Sequence, residues 1–163
     1  MTKYALIIGG TGFISQYCVE SFVKDGFIVA TMNRGRSIDL HGNNVKHRFT
    51  VNCSDEKAFI STLQTSLQVM SDVLGLPTPI RAWDVVLDAI CFDPDHARAC
   101  CEGLANRCRL FLFISTDSIY EVCIPQKQQL LSSDTIISPS NCDISSKMAY
   151  DGRKEEYCTL LPG

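Results

Sequence analysis

Several features that assign proteins to common classes are missing from this sequence. The nine cysteines contain no C-x-x-C pair and only three histidines accompany them, so no metal site is predicted. No apolar run approaches the roughly 20 residues that cross a bilayer, and no signal peptide is recognisable. The net charge of −3, without a basic stripe, argues against nucleic acid as the main partner. We therefore expect a cytoplasmic protein with reduced cysteines.

What the sequence does contain is a regular alternation of strand and helix patterns. With 163 residues, 45% of them hydrophobic and 20% charged, the chain suits one domain with a real core. Strands are expected at residues 4–8, 27–32, 46–51, 84–89 and 110–114. Helices are expected at 14–26, 55–74 and 94–106, with a last one around residues 150–154, after a loop-like stretch at 121–146. This alternation predicts an α/β fold, a doubly wound parallel sheet of about five strands.

Glycines punctuate the first junction between a strand and a helix. Gly9 lets the chain turn sharply after the strand, and Gly12 leaves room for a pyrophosphate to approach the backbone where Phe13 and Ile14 open the helix. The third glycine of this pattern would stand at position 15, where the chain has Ser15. At the first junction of an alternating chain, such a turn predicts the dinucleotide site of a Rossmann-type domain.

The end of the second strand bears on the choice of dinucleotide. An acidic residue there accepts hydrogen bonds from the free 2′-hydroxyl of NAD. This chain has Asn33, Arg34 and Arg36 at that point and no carboxylate. Guanidinium groups match a phosphate dianion, so NADP is the preferred cofactor and NAD the alternative. The competing interpretation is an exposed basic turn.

Two further motifs concern catalysis. The segment 115–120, Ser-Thr-Asp-Ser-Ile-Tyr, follows the fifth strand at the edge where doubly wound folds bind ligands. Tyr150 and Lys154 are four residues apart, and therefore lie on one face of the last helix. A nearby ammonium stabilises the phenolate, which makes a tyrosine with an ordinary pKa near ~10 a usable base.

Together these motifs resemble the short-chain dehydrogenase/reductase superfamily, in its extended and atypical epimerase/dehydratase branch. The resemblance implies that Thr116 hydrogen-bonds the reacting oxygen, that Tyr150 is the general acid/base, and that Lys154 binds the nicotinamide ribose and lowers the tyrosine pKa. It also implies that Asn52, Cys53 and Ala89 contribute to the cofactor site.

Within that superfamily, the segments Asn33–Gly35 and Asp88–Cys91 look closest to the group of the chloroplast stem-loop RNA-binding proteins. Asn52 stands where relatives often carry an aspartate beside the adenine.

The C-terminal end departs from the branch that the chain resembles. Members continue past the Tyr-x-x-x-Lys helix with a sixth strand and a small substrate domain, so we expect a single truncated domain, 1–163, with an incomplete substrate site. Three hypotheses follow: an NADP-dependent reductase or epimerase acting on a carbonyl or sugar-nucleotide substrate, a non-catalytic dinucleotide-binding or regulatory protein, and an inactive truncated isoform. Without a sixth strand, the apolar strand five is left at the sheet edge, where residues 121–146 cover it or a second copy pairs with it; we expect a homodimer or a poorly soluble species rather than a stable monomer.

Overall fold

The computed structural model describes residues 2–37, 41–91 and 94–114. The chain divides into two compact units, one of Met1–Cys91 with Ala99–Ile114 and one of Phe92–Arg98 with Ser115–Gly163. Of the second unit, only residues 94–98 are described, and they form the first part of a helix. The predicted catalytic residues Thr116, Tyr150 and Lys154 lie outside the described residues, so their assignment stays a prediction.

The first unit is built on a parallel sheet of five strands in the order β3-β2-β1-β4-β5. The strands are β1 (Lys3–Ile8), β2 (Phe27–Asn33), β3 (Val45–Thr50), β4 (Val85–Asp88) and β5 (Phe111–Phe113). Because every strand runs the same way, the loops that follow the strands all leave at one edge. The strand order reverses at β1, which lies between β2 and β4, and this is the point where doubly wound sheets bind ligands.

Three helices connect the strands, α1 (Phe13–Lys24), α2 (Glu56–Val73) and α3 (Pro94–Leu104). Alternate residues of β1 enter two separate apolar clusters, because successive side chains of a strand point to opposite faces. Leu6 and Ile8 pack in the cluster that contains α2, whereas Ala5 and Ile7 pack in the cluster that contains Val19 of α1. The sheet therefore has a core on each face, and the predicted doubly wound α/β architecture is confirmed.

The predicted apolar face of α2 is confirmed, and that of α1 is wrong in part. Along α2 the buried side chains include Phe59, Leu63, Leu67 and Met70, at helical spacing. On α1, Ile14 was expected to share a face with Cys18 and Phe22, but its side chain is 51% exposed. The side chains buried on α1 are Ser15 and Val19, whereas the apolar side chains at its start, Phe13 and Ile14, are exposed.

Strand five is shorter than the sequence pattern predicts. Five apolar residues were expected to form it, but β5 comprises the three residues Phe111–Phe113, of which Leu112 is 40% exposed. Within the described sheet it is an edge strand, and the expected dimer through it stays a prediction. Among the helices in the described ranges, none combines the length and the apolar character that a bilayer crossing requires.

Candidate functional site

The turn after β1 contains two glycines that the packing of the fold itself requires. Gly9 has a φ of +81°, and a Cβ there would lie 2.3 Å from Cγ2 of Ile90. A Cβ on Gly10 would lie 2.7 Å from Cγ2 of Thr31, a buried β-branched residue of β2. The amide of Gly9 also donates to the carbonyl of Met32, 2.8 Å away. The turn therefore packs closely against the end of β2 and against the residues that follow β4.

Gly12 is different, because a Cβ there would be crowded less severely than at Gly9 or Gly10. Its φ is −77°, which any residue adopts, and the described atoms nearest to its Cβ would be Ser15 Oγ at 3.2 Å, a tight contact, and Gly9 O at 3.6 Å. It is the N-cap of α1. The amides of Phe13 and Ile14, the first two of the helix, have no acceptor in the described part of the chain, as is usual for a helix start. These N–H groups lie at the positive end of the helix dipole, an arrangement that suits an anion.

Ser15, which stands where the third glycine of the pattern was expected, closes the turn. Its side chain is buried, and its hydroxyl donates to the carbonyl of Gly9 while accepting from the amide of Gly12 at 2.9 Å. A glycine at position 15 makes neither bond. The departure from the glycine pattern therefore replaces conformational freedom with a hydrogen-bonded latch across the turn.

The basic turn after β2 lies at the same edge of the sheet. The carbonyl of Asn33 accepts from the amide of Val51, 2.9 Å away, which joins this turn to the end of β3. Gly35 has a φ of +75°, and its Cβ would stand 3.0 Å from the side chain of Thr50. Arg34 and Arg36 are exposed, and neither has a carboxylate partner in the described ranges. Their charges are therefore free to meet an anion from solvent.

The other predicted cofactor residues lie at the ends of β3 and β4. Asn52 is exposed, and its side-chain carbonyl accepts from the amide of Ser54 at 3.3 Å, so it shapes the turn that leads to α2. Cys53 is half-buried and packs against the core. Ala89 continues β4, with its amide donating to the carbonyl of Ile8, 3.0 Å away. The predicted cofactor residues in the described ranges thus end or follow β1, β2, β3 or β4 at one edge of the sheet, whereas Lys154 lies outside those ranges.

Two buried residues that the sequence analysis did not select as site residues form hydrogen bonds with these turns. Asp88, fully buried at the end of β4, accepts from the amide of Ile90 at 2.9 Å and from the thiol of Cys100 at 3.4 Å. Burial, and then the negative charge of Asp88, raise the pKa of Cys100 well above its usual value, so this thiol stays protonated and donates. His41 lies 3.0 Å from the carbonyl of Gly10 through Nε2. No local pattern marks His41, because its partner is 31 residues away in the chain.

The same fold occurs in solved structures of reductases and epimerases. Yeast methylglyoxal/isovaleraldehyde reductase Gre2, solved with NADPH, is 15% identical, with a TM-score of 0.65 over 96% of this chain and 51% of that one. For the PbgP3 protein from Burkholderia pseudomallei the identity is 15% and the TM-score 0.62, over 98% of this chain and 48% of that one. UDP-glucose 4-epimerase from Thermotoga maritima, solved with UDP-glucose, is 17% identical, with a TM-score of 0.51 over 72% and 39% of the two chains. The chain has a Rossmann-like fold.

At these identities the likeness concerns the fold alone. The chain spans between 39% and 51% of the length of the three structures. No protein-family model matches the sequence, and no curated protein matches it. In a Rossmann-like fold, the strand-order reversal at β1 coincides with the glycine turn and the unpaired helix amides, so this edge is the candidate site.

Proposed function

We propose that this chain is a nicotinamide-dinucleotide-binding domain of the reductase or epimerase type. The observation that carries the proposal is the start of α1, where the amides of Phe13 and Ile14 have no acceptor in the described part of the chain and the N-cap residue, Gly12, has no side chain. These amides, at the N-terminus of a helix, fit the oxygens of a pyrophosphate. Support also comes from a fold neighbour that was solved with NADPH, the yeast reductase Gre2.

NADP is the proposed form of the cofactor. Arg34 and Arg36 stand exposed at the end of β2, the position that meets the adenosine ribose in dinucleotide-binding folds of this kind. The described end of β2 carries no carboxylate to accept from a 2′-hydroxyl. Two guanidinium groups that have no carboxylate partner in the described ranges therefore favour a 2′-phosphate, and this contribution weakens as added salt screens it.

The catalytic part of the proposal follows from the resemblance of three motifs. Tyr150 would give a proton to the substrate oxygen or take one from it, and Lys154 would keep the phenol acidic enough for that exchange. Thr116 would hold the same oxygen by a hydrogen bond. The bound cofactor would supply or accept the hydride. The substrate class is a carbonyl compound or a sugar nucleotide.

The proposed cofactor site is tested by Gly12→Val with Gly10→Ala as the contrasting variant. Valine at position 12 should leave the protein folded but weaken NADPH binding by about 100-fold or more, since roughly two hydrogen bonds to a charged group are lost. Alanine at position 10 should instead lower the melting temperature, because its Cβ would clash with Thr31. Calorimetry measures the affinity, and the fluorescence of Trp83, the single tryptophan, follows unfolding. Unchanged NADPH affinity in folded Gly12→Val would refute the assignment.

The NADP preference and the chemistry have separate tests. The double variant Arg34→Ala with Arg36→Ala should bring the affinities for NADPH and NADH to within a few fold of each other, and equal affinities in the parent would make the basic turn a plain surface loop. For chemistry, a panel of carbonyl compounds and sugar nucleotides is offered with NADPH. Turnover that Tyr150→Phe abolishes supports the catalytic part. Tight cofactor binding without turnover on the panel favours the non-catalytic binding protein.

A further inference from the structure

His41 stands at the end of the connection between β2 and β3, next to the glycine-rich turn. Its side chain is 7% exposed, and its Nε2 is 3.0 Å from the carbonyl oxygen of Gly10. A carbonyl oxygen only accepts, so Nε2 carries the proton in this contact. The contact joins the glycine turn after β1 to a segment that begins in the basic turn after β2.

The backbone holds His41 in place for this contact. A 3₁₀ turn, Gly42–Asn44, follows it directly, and the amide of Asn44 donates to the carbonyl of His41 at 3.1 Å. The carbonyl of Gly42 accepts from the guanidinium of Arg48 on β3 at 2.5 Å. The imidazole is therefore presented from a turn that is itself anchored on a strand.

The bond to Gly10 fixes the direction of the next amide. In a trans peptide the C=O and the N–H point to opposite sides, so holding the carbonyl of Gly10 sets the direction of the N–H of Thr11. That N–H has no acceptor in the described part of the chain. It is one residue before Gly12 and two before the start of α1, so it adjoins the amides assigned above to the pyrophosphate.

We propose that His41 is a positioning residue for the pyrophosphate turn, holding the Gly10–Thr11 peptide in the orientation that accepts a dinucleotide. The inference rests on the proposed function. It also gives the connection between β2 and β3 two roles. Arg34 and Arg36 at its start bind the 2′-phosphate, which only NADP carries, whereas His41 at its end positions the turn that binds the pyrophosphate, which NADP and NAD share. Loss of His41 should therefore weaken both dinucleotides by the same factor.

The experiment measures the affinities of NADP⁺ and NAD⁺ for the full chain and three variants. In His41→Ala both should fall about tenfold, the usual cost of one lost hydrogen bond, with their ratio unchanged within about twofold. His41→Gln places an amide N–H near the former Nε2 and should recover most of the affinity. His41→Asn offers the same amide one methylene shorter and should behave like alanine. If the alanine variant does not fold, the comparison of the affinities of His41→Gln and His41→Asn decides the test.

The results separate this inference from the proposed function. Parent-like affinities in folded His41→Ala, or in His41→Asn, overturn the positioning role. A selective loss of NADP⁺ also overturns it, since the histidine would then serve the basic turn alone. A parent chain that binds neither dinucleotide overturns the proposed function itself. Unfolding followed through Trp83 must show melting temperatures near that of the parent for any variant counted in support.

Discussion

Replacing Thr31 with valine should stabilise the protein. Thr31 is fully buried in β2, and within the described ranges its hydroxyl oxygen has no hydrogen-bond partner. A buried hydroxyl that loses water without gaining a partner costs roughly 1–3 kcal/mol. Valine keeps the methyl group that packs beneath Gly10 and puts a second methyl where the hydroxyl stood. We expect a gain of about 1–2 kcal/mol, which for a domain of this size raises the melting temperature by roughly 3–6 °C.

The assay is equilibrium unfolding in urea, followed by fluorescence. Trp83 is the single tryptophan, is fully buried, and donates through its indole N–H to Ser66 at 3.0 Å, so its emission reports the core. The matched control is Thr62→Val, because the hydroxyl of Thr62 already donates to the carbonyl of Ala58 at 2.7 Å. That variant should gain nothing and lose up to about 1 kcal/mol.

The reasoning on Thr31 fails if Thr31→Val is no more stable than the parent, or loses stability to the same extent as Thr62→Val. Either result would mean that the hydroxyl of Thr31 is satisfied in the folded protein. The affinity for NADPH should stay unchanged in Thr31→Val, because the contact beneath Gly10 is kept.

Two further predictions concern parts of the fold away from the site. Burial, and then the charge of Arg48, lower the pKa of His47 below its usual value of 6.5. Between the pKa of His47 in the folded protein and its higher pKa in the unfolded chain, the unfolded chain binds more protons, so stability falls as the pH drops through this window. The urea midpoints at pH 7.5 and 5.5 should therefore differ less in His47→Gln than in the parent. Gly103→Ala should destabilise by about 1–3 kcal/mol despite better helix propensity, because its Cβ would lie 2.7 Å from Leu63 of α2. A melting temperature at or above the parent's would contradict the close approach of α2 and α3.

The strands and helices of the described residues follow closely from local sequence patterns. The five strand positions, the parallel doubly wound sheet and the apolar face of α2 were all predicted, because a buried parallel strand is apolar on both faces and the crossover helices leave few alternative topologies. The edges of the pattern were less well predicted. The predicted burial of Ile14 and the predicted five-residue length of β5 were both wrong. Apolar residues at the end of an element carry no signal of whether another element covers them.

For the site, the sequence by itself determined which residues gather at one edge of the sheet. The glycine turn, the basic turn and the ends of β3 and β4 each follow a strand, and parallel strands bring those ends together. Only the tertiary structure distinguished the glycines, since Gly9 and Gly10 are needed for contacts with Ile90 and Thr31.

Only the tertiary structure, too, revealed the latch of Ser15 and the bond from His41 to Gly10. A periodic pattern records which side of an element faces the core. Hydrogen bonds across the fold depend on the positions of atoms that are distant in the chain, and these are set only when the sheet has formed.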